Sequence, residues 1–172
     1  MQVHSLVNVE IILPSLRAWK KEGHIRYAGI THYEDLYLPP LLSWVERGNL
    51  DFVQVHYSIF NRKAEEQLLP AAAERGVAVL INMPFEKARL FKVVEGRELP
   101  SFASEIGATT WAAFFLKWVI SHPHVTCALP FDIKSRPRRR KHRGAAGAAA
   151  RSRNARTNGE LYGEHSRLQP DR

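Results

Sequence analysis

A single cysteine, Cys127, is all the thiol that the 172 residues contain. One cysteine excludes an internal disulfide framework and makes a reducing compartment, the cytoplasm, the expected location. No apolar run is long enough to cross a bilayer, so no membrane partner is expected. The opening Met1-Gln2-Val3-His4 lacks the basic start and apolar centre of a secretory signal. No G-x-G-x-x-G follows any β-branched run, which leaves a Rossmann dinucleotide site without support. His24, His56, His122 and His124 stand at no metal-ligand spacing, and no metal is expected. Cys127 itself, inside an apolar run, reads as a buried small hydrophobe.

The hydrophobic fraction of 45% is ordinary for a globular domain with a core. The net charge of +8 is unevenly spread. Residues 131–172 hold 12 Lys/Arg against 4 Asp/Glu, whereas residues 1–130 carry 13 of each. A basic chain would ordinarily suggest nucleic acid or an anionic surface. Here the body is neutral and the basicity belongs to the tail. That tail holds Arg138-Arg139-Arg140-Lys141 and the alanine-rich stretch 145–150, with Leu161, Tyr162 and Leu168 as its few large apolar residues. Such a composition cannot offset the entropy of ordering and predicts a disordered segment.

Residues 1–130 read as alternating strands and helices. Apolar strand runs are expected at Met1–His4, Ile25–Ile30, Phe52–His56, Val77–Ile81 and Val125–Leu129. The first four begin roughly 25 residues apart, and helical stretches separate them. That rhythm predicts parallel βαβ units. The runs do not alternate cleanly, as strands buried on both faces do not. In Val9–Glu22 the residues Val9, Ile12, Leu13, Leu16 and Trp19 fall on one helical face. Asn8 is the expected N-cap, Gly23 the expected stop, and Pro14 sits near the first turn, where proline costs least. Ala64–Arg75, ended by Gly76, and Thr109–Ser121, ended by Pro123, are the other expected helices. The stripe Trp111, Phe114, Phe115, Trp118 and Val119 is expected in the core. Two architectures fit, an open doubly wound sheet or part of an eight-fold barrel, which needs about 250 residues when complete.

Polar residues gather where a barrel keeps its chemistry, at the C-terminal ends of the strands. They are His4, Thr31-His32, Gln54 with His56-Tyr57, and Asn82-Met83-Pro84-Phe85. Taken singly, each has a blander reading. A strand-end histidine can be a satisfied core residue, Gln54 a buried hydrogen-bonding group, and Thr31 or His32 a helix cap. Taken in order, they resemble the second half of the aldo-keto reductases. Gln2-Val3-His4 is similar to the family strand that ends in the active-site histidine. Gly23 through Tyr33 resembles the family's GKIRYIGVSNF block, and Phe52 through Ser58 its VVQVxYS strand. Gly76 through Phe85 resembles the next strand with its proline-containing turn. Trp111 through Pro130 resembles the last core helix and strand, ending in an AIP-like Ala128-Leu129-Pro130.

The resemblance covers residues 1–130 and implies an α/β fold, a partial (β/α)8 TIM barrel of about strands 4–8. It implies NADP-dependent reduction of a small carbonyl substrate. His4 would lie beside the substrate carbonyl. Thr31 and His32 would stand where a Ser-Asn pair holds the nicotinamide carboxamide, with His32 departing from the family's asparagine. Gln54 would hold the same amide. Met83, Pro84 and Phe85 would support the nicotinamide ring and start wrapping the pyrophosphate.

The family's proton-donating tyrosine, with its lysine and aspartate, precedes the histidine strand. No Tyr–Lys pair stands in a matching place here, so an inactive or weakly active fragment is expected, since general acid catalysis contributes roughly 10²–10⁴-fold. After Pro130 the family's phosphate-binding loop is not matched. One permitted codon choice for Asp132–Arg143, read one nucleotide later, spells Thr-Ser-Asn-Pro-Asp-His-Val-Val-Glu-Asn-Ile-Gly, close to what the family carries there. The tail is therefore expected to be the product of a shifted reading frame. The alternative is a non-enzymatic protein that binds nucleic acid through the basic tail. The tail has neither interleaved aromatics nor a folded module, so nucleic acid is not the expected partner.

Overall fold

The computed structural model describes residues 1–130, and the expectations for the tail lie outside the described residues. Five strands form one parallel sheet: β1 (Gln2–Val3), β2 (Gly29–His32), β3 (Phe52–His56), β4 (Ala78–Asn82) and β5 (Cys127–Ala128). Their spatial order is their sequence order, β1-β2-β3-β4-β5. A doubly wound sheet reverses direction at a switch point, and this sheet does not. Sequential parallel order is the topology of a stretch of (β/α)8 barrel. Of the two architectures that the strand pattern allowed, this is the one that the resemblance implied.

The helices are α1 (Val9–Lys21), α2 (Leu38–Arg47), α3 (Leu68–Glu74), α4 (Arg89–Val93) and α5 (Trp111–Ser121), with short 3-10 turns at His4–Leu6, Asp35–Tyr37, Lys63–Glu65 and Ser101–Ala103. Side chains alternate along a strand, and residues paired across a parallel ladder share a face. Val3, Ile30, Val53 and Val79 lie in one such row, Val55 and Ile81 in another, and all are buried. Leu13 and Leu16 of α1, Leu41 and Val45 of α2, Leu69 and Ala72 of α3, and Trp118 and Val119 of α5 pack onto them. The opposite face carries Gln2, Phe52, Gln54, Leu80, Asn82 and Cys127, all only partly covered. This second face is the concave one of a barrel topology. A smaller cluster of Leu90, Phe114 and Phe115 with Phe85, Phe91 and Trp111 joins α4 to α5.

Several expectations are corrected in detail. The second strand begins at Gly29, four residues after Ile25, and runs on to His32. Asn8 stands at the N-cap of α1 in a left-handed conformation, and its side chain makes no capping bond. Pro14 lies inside α1, past the first turn, and not at its start. Trp19 and Ile12 are exposed, so the buried stripe of α1 is Val9, Leu13 and Leu16. Cys127 is half-buried. Ala64–Arg75 divides into a 3-10 turn and α3.

Helix α2 carries Pro39 and Pro40, residues that would break a helix interior. They occupy the first turn, where the missing N–H has no partner to lose. At the start of α5, Thr110 accepts a hydrogen bond from the Ala113 N–H at 3.1 Å. Thr110→Ala is expected to lower stability by about 1 kcal/mol, read as a shift in the urea midpoint.

Candidate functional site

The concave face brings together part of the predicted set. Thr31 and Gln54 are Cα partners across β2 and β3, so their side chains leave the same face. Gln2 is two residues from that row, and its Nε2 donates to Gln54 Oε1 at 2.9 Å. Asn82 pairs with His56 at the end of β4 and shares the face as well. Gln2 Oε1 and Asn82 Oδ1 are both buried and lack a hydrogen-bond partner. An acceptor without a donor is costly where water is excluded. Two such acceptors beside Thr31 and Gln54 make a surface that suits a ligand amide, which brings N–H donors and a carbonyl in one plane. Sequence reasoning named Thr31 and Gln54 and passed over Gln2, which strict alternation from Gln54 through the ladder could have found.

His32 is separated from that surface. Strand alternation turns it to the helix-covered side, where its ring stacks on Tyr37 with centroids 3.6 Å apart. Its Nδ1 accepts from the Glu34 N–H at 3.1 Å. Burial pushes the His32 imidazole below its ordinary pKa; the Glu34 charge opposes that shift and the His4 charge adds to it. His4 opens the 3-10 turn that packs against β2, which sets it at the same rim. His4 itself is exposed, and its Nδ1 lies 3.0 Å from Ser5 Oγ.

Met83, Pro84 and Phe85 follow β4 in a turn where Met83 has a φ of 52°. Pro84 is buried, Met83 is partly covered, and Phe85 packs against Phe91 with centroids 5.0 Å apart. The Phe85 side chain therefore belongs to the smaller core, and what this turn offers the concave face is Met83 and backbone.

Beside this turn lies a buried polar network that sequence reasoning missed. Glu86, 4% exposed, accepts from His56 Nε2 at 2.6 Å and from Ser58 Oγ at 2.6 Å, both at its Oε1. Asn61 Nδ2 gives one hydrogen to Asp35 Oδ1 at 2.7 Å and faces His56 Nδ1 at 3.0 Å. An amide nitrogen only donates, so His56 Nδ1 is the acceptor and Nε2 carries the proton given to Glu86. Lys63 completes the chain on Asp35 at 2.9 Å. Burial pushes the Glu86 carboxyl up, but the hydrogen bonds of His56 and Ser58, with the charge of Arg89, outweigh it and hold it below the usual range. Asp35 is likewise raised by burial and lowered further by Asn61 and Lys63. Both are carboxylates at neutral pH. No short sequence pattern announces a pair such as His56 and Glu86, 30 residues apart.

A cavity of about 280 Å³ lies elsewhere, between α2 and α3, lined by Asp35, Leu38, Leu42, Lys63 and Leu68 among others. None of Thr31, Gln54, Asn82 or Met83 lines it, and it is not taken as the site. No group of metal-binding side chains occurs among the described residues, and no helix among them is long and apolar enough to cross a membrane.

Comparison with known proteins gives the arrangement a context. The NADH-specific methylglyoxal reductase of Escherichia coli is 31% identical over 88 residues, which is 51% of this chain and 26% of that protein. An aldo/keto reductase from Klebsiella pneumoniae, solved in complex with NADP and acetate, matches with a TM-score of 0.59 at 24% identity. That match covers 75% of this chain and 46% of the other. A structure from the same organism in complex with NADPH matches equally well. A thermostable aldo-keto reductase in complex with epalrestat matches at a TM-score of 0.53 and 21% identity, covering 74% of this chain and 47% of that one. The chain thus spans about a quarter of the curated relative and under half of each solved chain. These structural likenesses carry the fold. The model of the Aldo/keto reductase family matches residues 3–136, from the β1 strand through all five strands and just beyond the described residues. With the parallel order of the strands and the polar residues at their ends, that match makes the chain a member of the aldo/keto reductase family.

Proposed function

We infer that the concave face binds the nicotinamide end of NADP or NAD, and that the chain contributes this surface to an aldo-keto reductase type of carbonyl reduction. The observation that carries the reading is the pair of unpartnered acceptors, Gln2 Oε1 and Asn82 Oδ1, on the face of Thr31 and Gln54. A carboxamide would give its N–H groups to such acceptors and receive a hydrogen bond from the Thr31 hydroxyl or a glutamine amide. When bound, the cofactor supplies the hydride for carbonyl reduction. His4, exposed at the rim, is the group proposed to meet the substrate carbonyl.

From the resemblance, we propose that no residue of this chain stands in for the family's tyrosine, lysine and aspartate. The chain by itself is therefore proposed to be a part of a reductase that binds cofactor with little or no turnover. The small carbonyl substrate, the preference for NADP, and the shifted frame of residues 131–172 belong to the same reading.

The test is a titration of the chain with NADPH and NADH, followed by quenching of tryptophan fluorescence. Saturable binding is expected, and Gln54→Leu should weaken it about tenfold, the effect of losing one or two hydrogen bonds to a partly covered amide. No saturation by either nucleotide up to about 1 mM, roughly −4 kcal/mol, would sink the reading. Brisk NADPH oxidation with generic aldehydes would overturn the proposal of little turnover.

A further inference from the structure

The segment that follows β4 is held in an expensive shape. Met83, Glu86, Lys87 and Ala88 all have positive φ, at 52°, 53°, 53° and 69°. None is glycine, and the left-handed region disfavours every residue with a Cβ. Four such residues within six positions would relax unless something fixed them. The local bonds run to the segment's own carbonyls: Glu86 N–H donates to Met83 O at 3.0 Å, Arg89 N–H and Nε–H to Glu86 O at 3.0 and 3.3 Å, and Phe91 N–H to Ala88 O at 3.2 Å. The strongest anchor is the Glu86 side chain, which turns back into the protein to accept two 2.6 Å bonds from the end of β3. Those donors are themselves fixed. His56 is oriented by Asn61, and Ser58 Oγ accepts from the Phe60 and Asn61 N–H groups. Across the rim, Lys87 Nζ sits 5.0 Å over the Tyr33 ring, which ties the same segment to the end of β2. Arg89 stands 3.5 Å from the other Glu86 oxygen.

We propose that Glu86 is a positioning residue for the nucleotide surface. Its buried carboxylate, gripped by His56 and Ser58, holds Met83 and Glu86 to Ala88 in their left-handed conformations and so fixes how Met83 and the backbone beside it meet the concave face. This rests on the reading of the concave face as a nicotinamide site. The grip is charge-assisted, since an ionised carboxylate accepts both bonds at one oxygen. A glutamine of the same shape offers a weaker acceptor and an amide nitrogen with no acceptor facing it. A fixed segment spares the ligand the cost of ordering it, which is how preorganisation raises affinity.

The experiment uses the full chain and two readouts. Hydrogen exchange of peptides spanning 83–93 is measured without nucleotide, and NADPH affinity is measured by fluorescence. Glu86→Gln should speed exchange in 83–93 about tenfold while peptides from β3 and α5 keep their rates, and should weaken NADPH binding by about the same factor. Adding Ala88→Gly to that variant removes a left-handed penalty while leaving the Lys87 contact in place, and should slow exchange and tighten binding again. A side chain that merely fills space would not be rescued from a distance by glycine. The same glycine in the unaltered chain should slow exchange in 83–93, and this arm decides the matter if Glu86→Gln does not fold. Unchanged exchange in Glu86→Gln, or no slowing from Ala88→Gly, overturns the proposal. If the unaltered chain binds NADPH and Glu86→Gln binds it equally well, only the role of Glu86 falls. If the unaltered chain binds neither nucleotide, the nicotinamide reading falls and this proposal with it.

Discussion

Gly29→Ala is expected to destabilise the fold by about 3 kcal/mol or more, which is a large share of the roughly 5–15 kcal/mol that holds a domain together. A Cβ at Gly29 would lie 2.5 Å from the Phe52 carbonyl oxygen and 2.5–2.6 Å from two carbons of its ring. The ring could turn aside, because Phe52 is only partly buried. The carbonyl cannot, because Gly29 and Phe52 are paired in the β2–β3 ladder and moving the oxygen breaks the pairing beside it. Glycine is needed here for close approach of two backbones, and not for an unusual φ. Urea unfolding of the two chains compares them directly. A Gly29→Ala chain with an unchanged midpoint would mean that β2 and β3 do not meet at this distance.

The second large effect is on acid stability, and its source is His122. The residue follows α5 and is 7% exposed, edge-on to Tyr57 with ring centroids 5.8 Å apart. Burial pushes its imidazole from the ordinary 6.5 down to about 4; Glu65 pulls the other way, and His124 and Arg62 add to the depression. In the folded chain His122 stays neutral at a pH where the unfolded chain binds a proton. Stability therefore falls as pH drops from 6.5 towards 4, by on the order of 3 kcal/mol across that window. The carboxylates act lower down. Glu86, Asp35 and Asp51 all have depressed pKa values, so their contribution persists above the ordinary carboxylate range and is lost beneath it. Melting temperature followed from pH 7 to pH 4 is expected to decline well before the carboxylates titrate. His122→Asn keeps an acceptor near the position of Nδ1, which takes the His124 N–H at 3.2 Å, and should flatten that decline. Equal slopes in the two chains would assign the acid sensitivity to another group.

Much of the architecture was legible because its causes are local. Strands buried on their helix-facing side need apolar runs, and crossovers need helices between them, so the rhythm of β1, β3 and β4 stood out. Where the local cause is ambiguous, the reading slipped. Ile25-Arg26-Tyr27 has strand composition, yet the chain passes from Gly23 as a loop, and the ladder begins only at Gly29. Pro39-Pro40 reads as a break until its position in a first turn is known. The five residues of α4 are too few to show a period.

The sequence by itself determined the α/β class, the parallel βαβ rhythm, the family resemblance, and the presence of Thr31 and Gln54 in the strands that carry polar residues, though Gln54 lies in the middle of β3 and not at its end. The class and the rhythm follow from composition and from spacing along the chain, and the resemblance from its ordered motifs. Only the tertiary structure decided the barrel-type order of the strands, the parting of His32 from Thr31, the pairing of Gln2 with Gln54, and the grip of His56 and Ser58 on Glu86. The physical reason is the same in each case. Ladder register and chain crossover bring together residues that lie tens of positions apart, and a hydrogen bond depends on distance in space, which no local pattern encodes.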